Sequence, residues 1–338
     1  MPEGEDMKIL IADYAELLMP THDLETQVLK DGLGEECEVE VYEYTDEKRD
    51  EFYERLSGAD ALLTGFIEMD AEAMDHAPGL KVISINATGY DKVDLAEANR
   101  RHIGVCPVGE YCTIDVAEHT ICVMLALVKN LKHYMHALER DHNWDYQIVE
   151  PNKRIKNMTL GIFGLGKIGT AVALRAQALG MDVMAYDRYV SPTYAEDFGV
   201  KLADSPEDIY EEADVISNHM SLTEGNHDLF NIDAFRRMRK HPYFINAGRG
   251  ASVVEADLKQ ALDEGLIKGA ALDTIRDEKP EHIAQNPLLG RDDVIITPHT
   301  AFYSTSSVED LERTSAMNIV HYLNGNLDQV FKLVTKRR

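Results

Sequence analysis

The sequence predicts an α/β protein made of two doubly wound parallel-sheet domains. Two series of short, apolar, strand-like runs alternate with helical patterns, and this alternation is typical of parallel sheets covered by helices. The length of 338 residues is enough for two domains of roughly 100 to 200 residues each. A hydrophobic content of 44% is sufficient to fill two cores.

The first series predicts a small open sheet near the start of the chain. The run at 37–44 alternates apolar and polar residues with a period of two, as a half-buried strand does. The other runs are short and mostly apolar. The predicted strands of this series are 7–13, 37–44, 59–65, 81–87 and 103–108.

One long helix is predicted from Asp115 to about Glu139. Its first half is apolar on most faces, so we expect it to be buried, packed between the two lobes. A last helix is predicted from about Ser304 to the turn at 324–326.

The second series is more regular and predicts a larger sheet. Its strands begin 22 to 33 residues apart, which is about the length of one strand and one helix. We expect the first and fourth of these strands to flank the point where the strand order reverses. The predicted strands are 159–164, 181–187, 214–219, 243–248, 268–273 and 293–299.

A glycine-rich loop, GLGKIG, follows the first strand of the second series. Gly164, Gly166 and Gly169 permit a tight turn, close approach of the backbone to a pyrophosphate, and close packing of the next helix. The start of that helix offers backbone N–H groups to an anion. The pattern predicts a Rossmann dinucleotide-binding domain, in which Lys167 and Ile168 also contact the cofactor.

The next strand ends in Asp187, 18 residues after Gly169. A carboxylate at this place accepts hydrogen bonds from the adenosine ribose and repels a 2′-phosphate, which favours NAD over NADP. The neighbouring Arg188 reduces that preference and is a further candidate for contact with the cofactor.

Three polar residues follow three consecutive strands of the second series. Arg249 follows the fourth strand, Glu278 the fifth and His299 the sixth. Because ligands of an open parallel sheet bind beyond the carboxyl ends of its strands, we expect the three side chains to meet near the cofactor.

This set suits the reduction of a 2-oxo acid. The forked guanidinium of Arg249 can hold a carboxylate and does not deprotonate. His299 can give a proton to the carbonyl oxygen as hydride arrives. Glu278, hydrogen-bonded to His299, would favour the protonated ring and fix its orientation.

The chain resembles the D-isomer-specific 2-hydroxyacid dehydrogenases from about Met7 to Asn324. The matching segments are NATGYDKVD (86–94), VAEHT (116–120), LGIFGLGKIG (160–169), NAGRG (246–250), GAALDT (269–274) and TPHTAFYS (297–304), with Trp144 after the long helix. The resemblance implies a flavodoxin-like substrate lobe, 1–113 with 305–338, and an inserted Rossmann NAD-binding lobe, 114–304. It also implies an active site in the cleft and a homodimer.

The resemblance implies further site residues. Arg249, Glu278 and His299 would be catalytic. Backbone N–H groups at Thr88 and Gly89 would bind the substrate carboxylate. Asp273 would contact the nicotinamide amide, and the rest of the cofactor groove would be lined by His219, Ser221 and Ala247.

Departures from related enzymes bear on the substrate. Formate dehydrogenases of this superfamily have Gln at the position of Glu278, and phosphoglycerate dehydrogenases place an Arg in the loop that is here 64–67. Tyr111 lies seven residues before Glu118, as in D-lactate and D-2-hydroxyisocaproate dehydrogenases. Together with Phe66 and Phe302, Tyr111 would give the pocket an apolar wall. We therefore expect reversible hydride transfer between NADH and a small or apolar, unphosphorylated 2-oxo acid.

Two alternatives stay open at this point. Within the enzymes, a phosphoglycerate dehydrogenase or a glyoxylate/hydroxypyruvate reductase uses the same residues. The segments TPHTAFYS and GTAVALRAQALGMDV also resemble the C-terminal-binding corepressors, which would make the chain an NAD(H)-gated binding protein. Loss of NADH absorbance with 2-oxo acids would separate the two classes.

The net charge of −26 limits the partners. It disfavours nucleic acid and anionic membranes, so we expect the partner to be a small molecule or a protein. Residues 1–60 hold 19 acidic and 5 basic side chains, and we expect these acids to coat the outer face of the substrate lobe. The start of the chain lacks a signal-peptide pattern, so we expect a cytoplasmic protein. No metal site is predicted, because His133 and His136 lack a third ligand.

Overall fold

The computed structural model describes residues 7–15 and 17–336. The chain forms two compact units: unit 1 comprises Met1–Tyr111 and Ser304–Arg338, and unit 2 comprises Cys112–Tyr303. Of the acidic residues counted in 1–60, those at positions 3, 5, 6 and 16 lie outside the described residues.

The secondary structure of the described residues alternates strands and helices, as the sequence predicts. The strands are β1 (Lys8–Tyr14), β2 (Glu38–Tyr44), β3 (Ala61–Thr64), β4 (Val82–Ile85), β5 (Gly104–Pro107), β6 (Thr159–Phe163), β7 (Asp182–Tyr186), β8 (Lys201–Leu202), β9 (Val215–Asn218), β10 (Tyr243–Asn246), β11 (Gly269–Leu272) and β12 (Val294–Ile296). The helices are α1 (Asp23–Leu33), α2 (Arg49–Leu56), α3 (Ala71–Asp75), α4 (Leu95–Arg101), α5 (Thr113–Val128), α6 (Leu131–Asp141), α7 (Lys167–Ala178), α8 (Pro192–Asp197), α9 (Pro206–Glu212), α10 (Ile232–Arg237), α11 (Glu255–Asp263), α12 (Pro280–Ile283) and α13 (Thr305–Leu323).

Unit 1 contains a parallel sheet in the order β2-β1-β3-β4-β5, which is the flavodoxin-like order. Ile9 and Ile11 pack in one core cluster with residues of α1 and α13, while Leu10 and Ala12 pack in another. The alternation follows from the period of two in a strand, and both faces are covered as a doubly wound sheet requires. The five strands predicted for the first series are confirmed.

The predicted last helix is also confirmed, and its start has a local cause. Ser304 and Ser307 form a capping box, in which each backbone N–H donates to the other hydroxyl at 3.1 Å. The α13 helix then packs on α1 and on the sheet of unit 1.

The expectation that the acids of 1–60 coat the surface is wrong for two of them. Glu25 is completely buried and Asp13 is 5% exposed. Glu25 lies on the inner face of α1, where it contacts His22, and Asp13 lies near the end of β1, where it accepts backbone hydrogen bonds. A buried carboxylate needs such partners, and neither residue could be distinguished by composition.

Unit 2 contains a parallel sheet in the order β12-β11-β10-β9-β6-β7-β8. The six predicted strands are confirmed, but the predicted position of the order reversal is wrong. The strand next to β6 across the reversal is β9, the third strand of the predicted series and not the fourth. The short strand β8, which pairs with β7, takes the third place, and two residues are too few to produce a sequence pattern.

The prediction of one long helix over 115–139 is wrong, because the chain breaks between α5 and α6. Asn130 adopts a left-handed conformation with φ 51°, which asparagine tolerates better than most residues. Apolar residues continue on both sides of the break, so their spacing did not indicate it. Within unit 2, α5 packs on α7 and on β10 and β11. None of the helices formed by residues 7–15 and 17–336 is long and apolar enough to span a membrane.

Candidate active site

The glycine loop connects β6 to α7, and the absence of a side chain has a different consequence at each of its three glycines. Gly164 has φ +90°, a region that favours glycine. A Cβ on Gly169 would lie 2.1 Å from the carbonyl oxygen of Gly164, so the first turn of α7 packs on the loop only without a side chain. A Cβ on Gly166 would meet no described atom within 4 Å. The backbone is therefore open to a ligand at the start of α7.

Asp187 follows β7 and holds the glycine loop from the side. Its Oδ2 accepts from the backbone N–H of Leu165 at 2.8 Å, and its Oδ1 accepts from the N–H groups of Tyr189 and Val190 at 2.8 and 3.2 Å. Carboxylate oxygens have capacity for additional donors, so these bonds leave room for ribose hydroxyls. Arg188 Nε donates to the Tyr186 hydroxyl at 3.1 Å.

His299 and Glu278 lie together beyond the carboxyl ends of β11 and β12. The Nδ1 atom of His299 is 3.0 Å from Oε2 of Glu278, and Oε1 of Glu278 accepts from the N–H of Ile275 at 3.3 Å. Both side chains are partly exposed, at 36% and 42%. The pair leaves Nε2 as the ring atom available for proton exchange.

Arg249 follows β10 in the turn NAGRG. Its Nη1 donates to the carbonyl of Gly248 at 2.9 Å. A Cβ on Gly250 would lie 1.9 Å from the carbonyl oxygen of Ile275, so this glycine allows the loop after β10 to touch the loop after β11. The contact brings the loop of Arg249 against the one that carries Glu278.

A buried polar network beneath these loops was not predicted from the sequence. Asn218 Nδ2 donates to Asn246 Oδ1 at 2.9 Å and to Ser252 Oγ at 3.2 Å. Asn246 Nδ2 donates to the Thr274 hydroxyl and to the carbonyl of Arg249 at 3.2 and 3.1 Å. The network fixes the carboxyl ends of β9, β10 and β11. Its signal in the sequence was asparagine as the last residue of two apolar strands.

Asp273, which the resemblance assigns to the nicotinamide amide, accepts hydrogen bonds from other residues of the protein. Its Oδ1 accepts from the Thr297 hydroxyl at 2.6 Å and the Thr300 N–H at 2.9 Å, and its Oδ2 accepts from the Ala301 N–H at 3.0 Å. The backbone of His299, with φ 52°, is fixed by its N–H donating to the Asp273 carbonyl at 2.9 Å. Asp273 therefore holds the loop that carries His299.

The other candidates for the cofactor groove follow β9 and β10. His219 Nε2 is 2.8 Å from the Ser217 hydroxyl, and burial lowers the pKa of His219 to about 4, so the ring is neutral at neutral pH. Ser221 is exposed and its carbonyl accepts from Asn226. The Ala247 N–H donates to the Asn218 carbonyl at 3.2 Å.

The predicted substrate residues divide between the two units. In unit 1, Phe66 follows β3 and is 37% exposed, while Thr88 and Gly89 follow β4. Tyr111, also of unit 1, lies two residues before α5. Phe302 belongs to unit 2, where its ring centre is 6.5 Å from that of His299.

Comparisons with known proteins agree with this architecture. The family model described as "D-isomer specific 2-hydroxyacid dehydrogenase, NAD binding domain" matches residues 121–301. A glyoxylate reductase of Thermofilum pendens is 33% identical over 308 residues, 87% of this chain and 88% of that protein. A D-3-phosphoglycerate dehydrogenase of Methanocaldococcus jannaschii is 33% identical over 327 residues, 95% of this chain but only 58% of that protein's length.

A solved structure extends the agreement to both units. The crystal structure of D-lactate dehydrogenase from Aquifex aeolicus, complexed with NAD and lactic acid, has a TM-score of 0.85 at 26% identity and covers 98% of this chain and 100% of that one. The family match, the two parallel sheets and the glycine loop lead to one conclusion. The chain belongs to the D-isomer-specific 2-hydroxyacid dehydrogenase family, and it is an NAD-dependent oxidoreductase acting on 2-hydroxy acids.

Proposed function

We propose that the protein interconverts a small or apolar, unphosphorylated 2-oxo acid and its D-2-hydroxy acid, using NADH and NAD. The observation that carries this proposal is the 3.0 Å contact between His299 and Glu278, with the ring of Phe302 beside it. A proton donor next to an apolar group suits a carbonyl that bears a small or hydrophobic side chain.

The residues that would hold the cofactor fit it chemically. The start of α7 offers outward-facing amides and a positive helix end to the pyrophosphate, and Gly166 leaves space for close approach. Lys167 and Ile168 begin α7, and Asp187 accepts a hydrogen bond from Leu165 of the glycine loop. When bound, NADH supplies the hydride.

The chain's own residues perform the remaining steps. His299 gives its Nε2 proton to the carbonyl oxygen as the alcohol forms, and takes it back in the oxidation direction. Glu278 keeps the imidazole oriented through its 3.0 Å contact with Nδ1. Arg249 binds the carboxylate of the substrate, and Thr88 and Gly89 bind it through their backbone amides.

The substrate class follows from the loop after β3. That loop, 64–67, contains no basic residue that could read a phosphate, and Phe66 supplies apolar surface. Glyoxylate, the substrate named for the relative from Thermofilum pendens, is itself a small, unphosphorylated 2-oxo acid.

The test is NADH oxidation with 2-oxo acids of graded size. We expect turnover of the unphosphorylated acids, a KM for them that rises in Arg249→Gln, and a kcat that falls about 10²- to 10⁴-fold in His299→Ala. Faster turnover of phosphorylated 3-hydroxypyruvate than of every unphosphorylated 2-oxo acid would contradict the substrate class. Equal rates in wild type and both variants would contradict the assignment of the catalytic residues.

The roles of the two parts of the chain belong to the same proposal. Residues 1–113 and 305–338 would bind the substrate, and residues 114–304 would bind NAD. The cytoplasm, which supplies NAD and NADH, would be the place of action, with neither nucleic acid nor membrane as a partner.

We also propose a homodimer, in which α6 contacts a second copy of the chain. Leu131, Met135 and Leu138 lie on one face of α6 and are 49%, 55% and 43% exposed. Trp144 and Tyr146, just after α6, are 89% and 79% exposed. Adjacent exposed apolar side chains of this size are typical of a protein interface. Sedimentation should give a dimer for the wild type and a monomer for Met135→Asp; a wild-type monomer would contradict the proposal.

A further inference from the structure

Asp13 lies near the end of β1, at the switch point of the sheet in unit 1. It is 5% exposed, and β1 is the strand at which the order of the sheet reverses. Ligand-contacting loops of such sheets follow the strands at this place. Asp13 was not among the site residues that the sequence indicated.

The carboxylate of Asp13 binds the turn that carries Phe66. Its Oδ2 accepts from the backbone N–H of Gly65 at 2.6 Å and from that of Phe66 at 3.2 Å, while its Oδ1 accepts from the N–H of Tyr14 at 3.0 Å. Hydrogen bonds to an ionised acceptor are about twice as strong as those between neutral groups. The position of the Phe66 backbone is therefore tied to β1.

The same turn is packed against the loop after β4. A Cβ on Gly65 would lie 3.1 Å from Asp13 Oδ2 and 3.5 Å from the carbonyl oxygen of Asn86. Asn86, two residues before Thr88, in turn donates its backbone N–H to the carbonyl of Thr64 at 2.9 Å. The turn at Gly65 is thus linked through Asn86 to the loop that carries Thr88 and Gly89.

The bonds to Asp13 also have an electrostatic consequence. The N–H groups of Gly65 and Phe66 are used by a carboxylate of the protein, so they are not available to an anionic group on a substrate side chain. A second negative charge brought to this loop would face the charge of Asp13. An uncharged side chain meets no such repulsion.

We propose that Asp13 is a positioning and specificity-determining residue: it fixes the Gly65–Phe66 turn and selects 2-oxo acids with uncharged side chains against those with a second anionic group. This inference rests on the proposed function, and it adds a residue and a discrimination that the proposed function does not contain.

The test compares Asp13→Asn with the wild type on two kinds of 2-oxo acid. The first has an uncharged side chain and is called the uncharged acid below. The second has a carboxylate or a phosphate ester on its side chain, and these are called the dianionic acids. We expect KM for the uncharged acid to rise about tenfold, with kcat and the KM for NADH within about twofold. The ratio of kcat/KM between uncharged and dianionic acids should fall about tenfold, because one opposing charge is removed. Asp70→Asn is the matched control. Asp70 also accepts a backbone N–H in unit 1, that of Ala73 at 2.8 Å, but it caps α3. In this variant the KM for the uncharged acid and the ratio of the kcat/KM values should both be unchanged.

A second variant separates position from charge and does not depend on the stability of Asp13→Asn. Gly65→Ala forces the turn away from Asp13 by a few tenths of an ångström and keeps the carboxylate. It should raise the KM for the uncharged acid while leaving the discrimination against dianions intact. A KM unchanged in Gly65→Ala, or a discrimination unchanged in folded Asp13→Asn, would overturn the corresponding half of the proposal.

A structural readout distinguishes failure of this inference from failure of the proposed function. If the wild type turned over no 2-oxo acid, the proposed function would fail, and Asp13 would lose its selective role with it. Amide hydrogen exchange at 65–66 still tests the positioning: it should be faster in Asp13→Asn than in wild type, and equal rates would contradict it.

Discussion

The two sheets use the switch point of their strand order in opposite ways. In unit 2, β6 is followed by glycines, and the backbone at Gly166 is open to a ligand. In unit 1, β1 ends near a carboxylate, and Asp13 already accepts the N–H groups of Gly65 and Phe66. The comparison shows that a shared parallel-sheet architecture does not by itself make an anion site. The residues at the switch point decide whether backbone amides are offered to a ligand or used by the protein.

The largest effect is expected at Gly169, where the glycine is required by the fold of unit 2. In Gly169→Ala, the Cβ would lie 2.1 Å from the Gly164 carbonyl oxygen, so α7 must shift from the loop. We expect the free energy of unfolding to fall by about 2–3 kcal/mol and NADH binding to be lost. Thermal denaturation and fluorescence titration with NADH measure the two effects. Wild-type values for both would mean that the close packing at this switch point is unimportant.

The next effect concerns Glu278, for which we propose a role in orienting His299. In Glu278→Gln the imidazole loses its carboxylate partner, so kcat for reduction should fall about 10- to 100-fold. Asp277→Asn is a matched control, because Asp277 also contacts a histidine, His282, at 2.7 Å. Steady-state kinetics at one pH measure the effect, and an equal kcat in all three proteins would contradict the role of Glu278.

A smaller effect is expected at Gly166, where we expect a side chain to be tolerated by the fold but to interfere with the proposed binding of the cofactor. A Cβ there meets no described atom within 4 Å, so Gly166→Ala should leave the free energy of unfolding within about 0.5 kcal/mol of wild type. In the proposed cofactor site the same methyl group would meet the pyrophosphate, so the Kd for NADH should rise about tenfold. An unchanged Kd would show that the open backbone is not the cofactor site.

The smallest effect concerns Glu312 of α13, which is buried against Glu25 and His22 of unit 1. Burial, and then the charge of Glu25, raise the pKa of Glu312 to about 7, while His22 acts in the opposite direction and Glu309 adds to the rise. Burial disfavours the His22 cation, but the hydrogen bond and charge of Glu25 outweigh it, so the pKa of His22 is raised as well.

A raised carboxyl pKa means that the folded state binds the proton more tightly than the unfolded state. Stability should therefore fall as the pH rises from about 4.5 to about 7. Glu312→Gln removes this titration, so the stability of the variant relative to wild type should be higher at pH 8 than at pH 5. Asp310→Asn, a change at an exposed residue of α13 that does not contribute to the raised pKa of Glu312, is the control. A stability difference between Glu312→Gln and wild type that is the same at pH 5 and pH 8 would contradict the raised pKa of Glu312.

The contrast between the units also explains what could be predicted from the sequence. The glycine loop, Asp187 and the three strand-end residues could be predicted because their proposed chemistry depends on local spacing and on strand ends. The strand β8, the break at Asn130 and the buried carboxylates Asp13 and Glu25 were missed. A two-residue strand has no periodicity, a left-handed asparagine leaves the apolar spacing intact, and burial of a carboxylate depends on partners distant in sequence.

The most direct test of the two switch points is amide hydrogen exchange of the wild-type protein with NADH alone, and then with NADH and oxamate, an unreactive analogue of a 2-oxo acid. We expect NADH to protect 164–170 of unit 2, and oxamate to add protection at 86–89 of unit 1 while exchange at 65–66 stays slow in all states. Protection by oxamate confined to unit 2, or none from NADH at the glycine loop, would contradict the account.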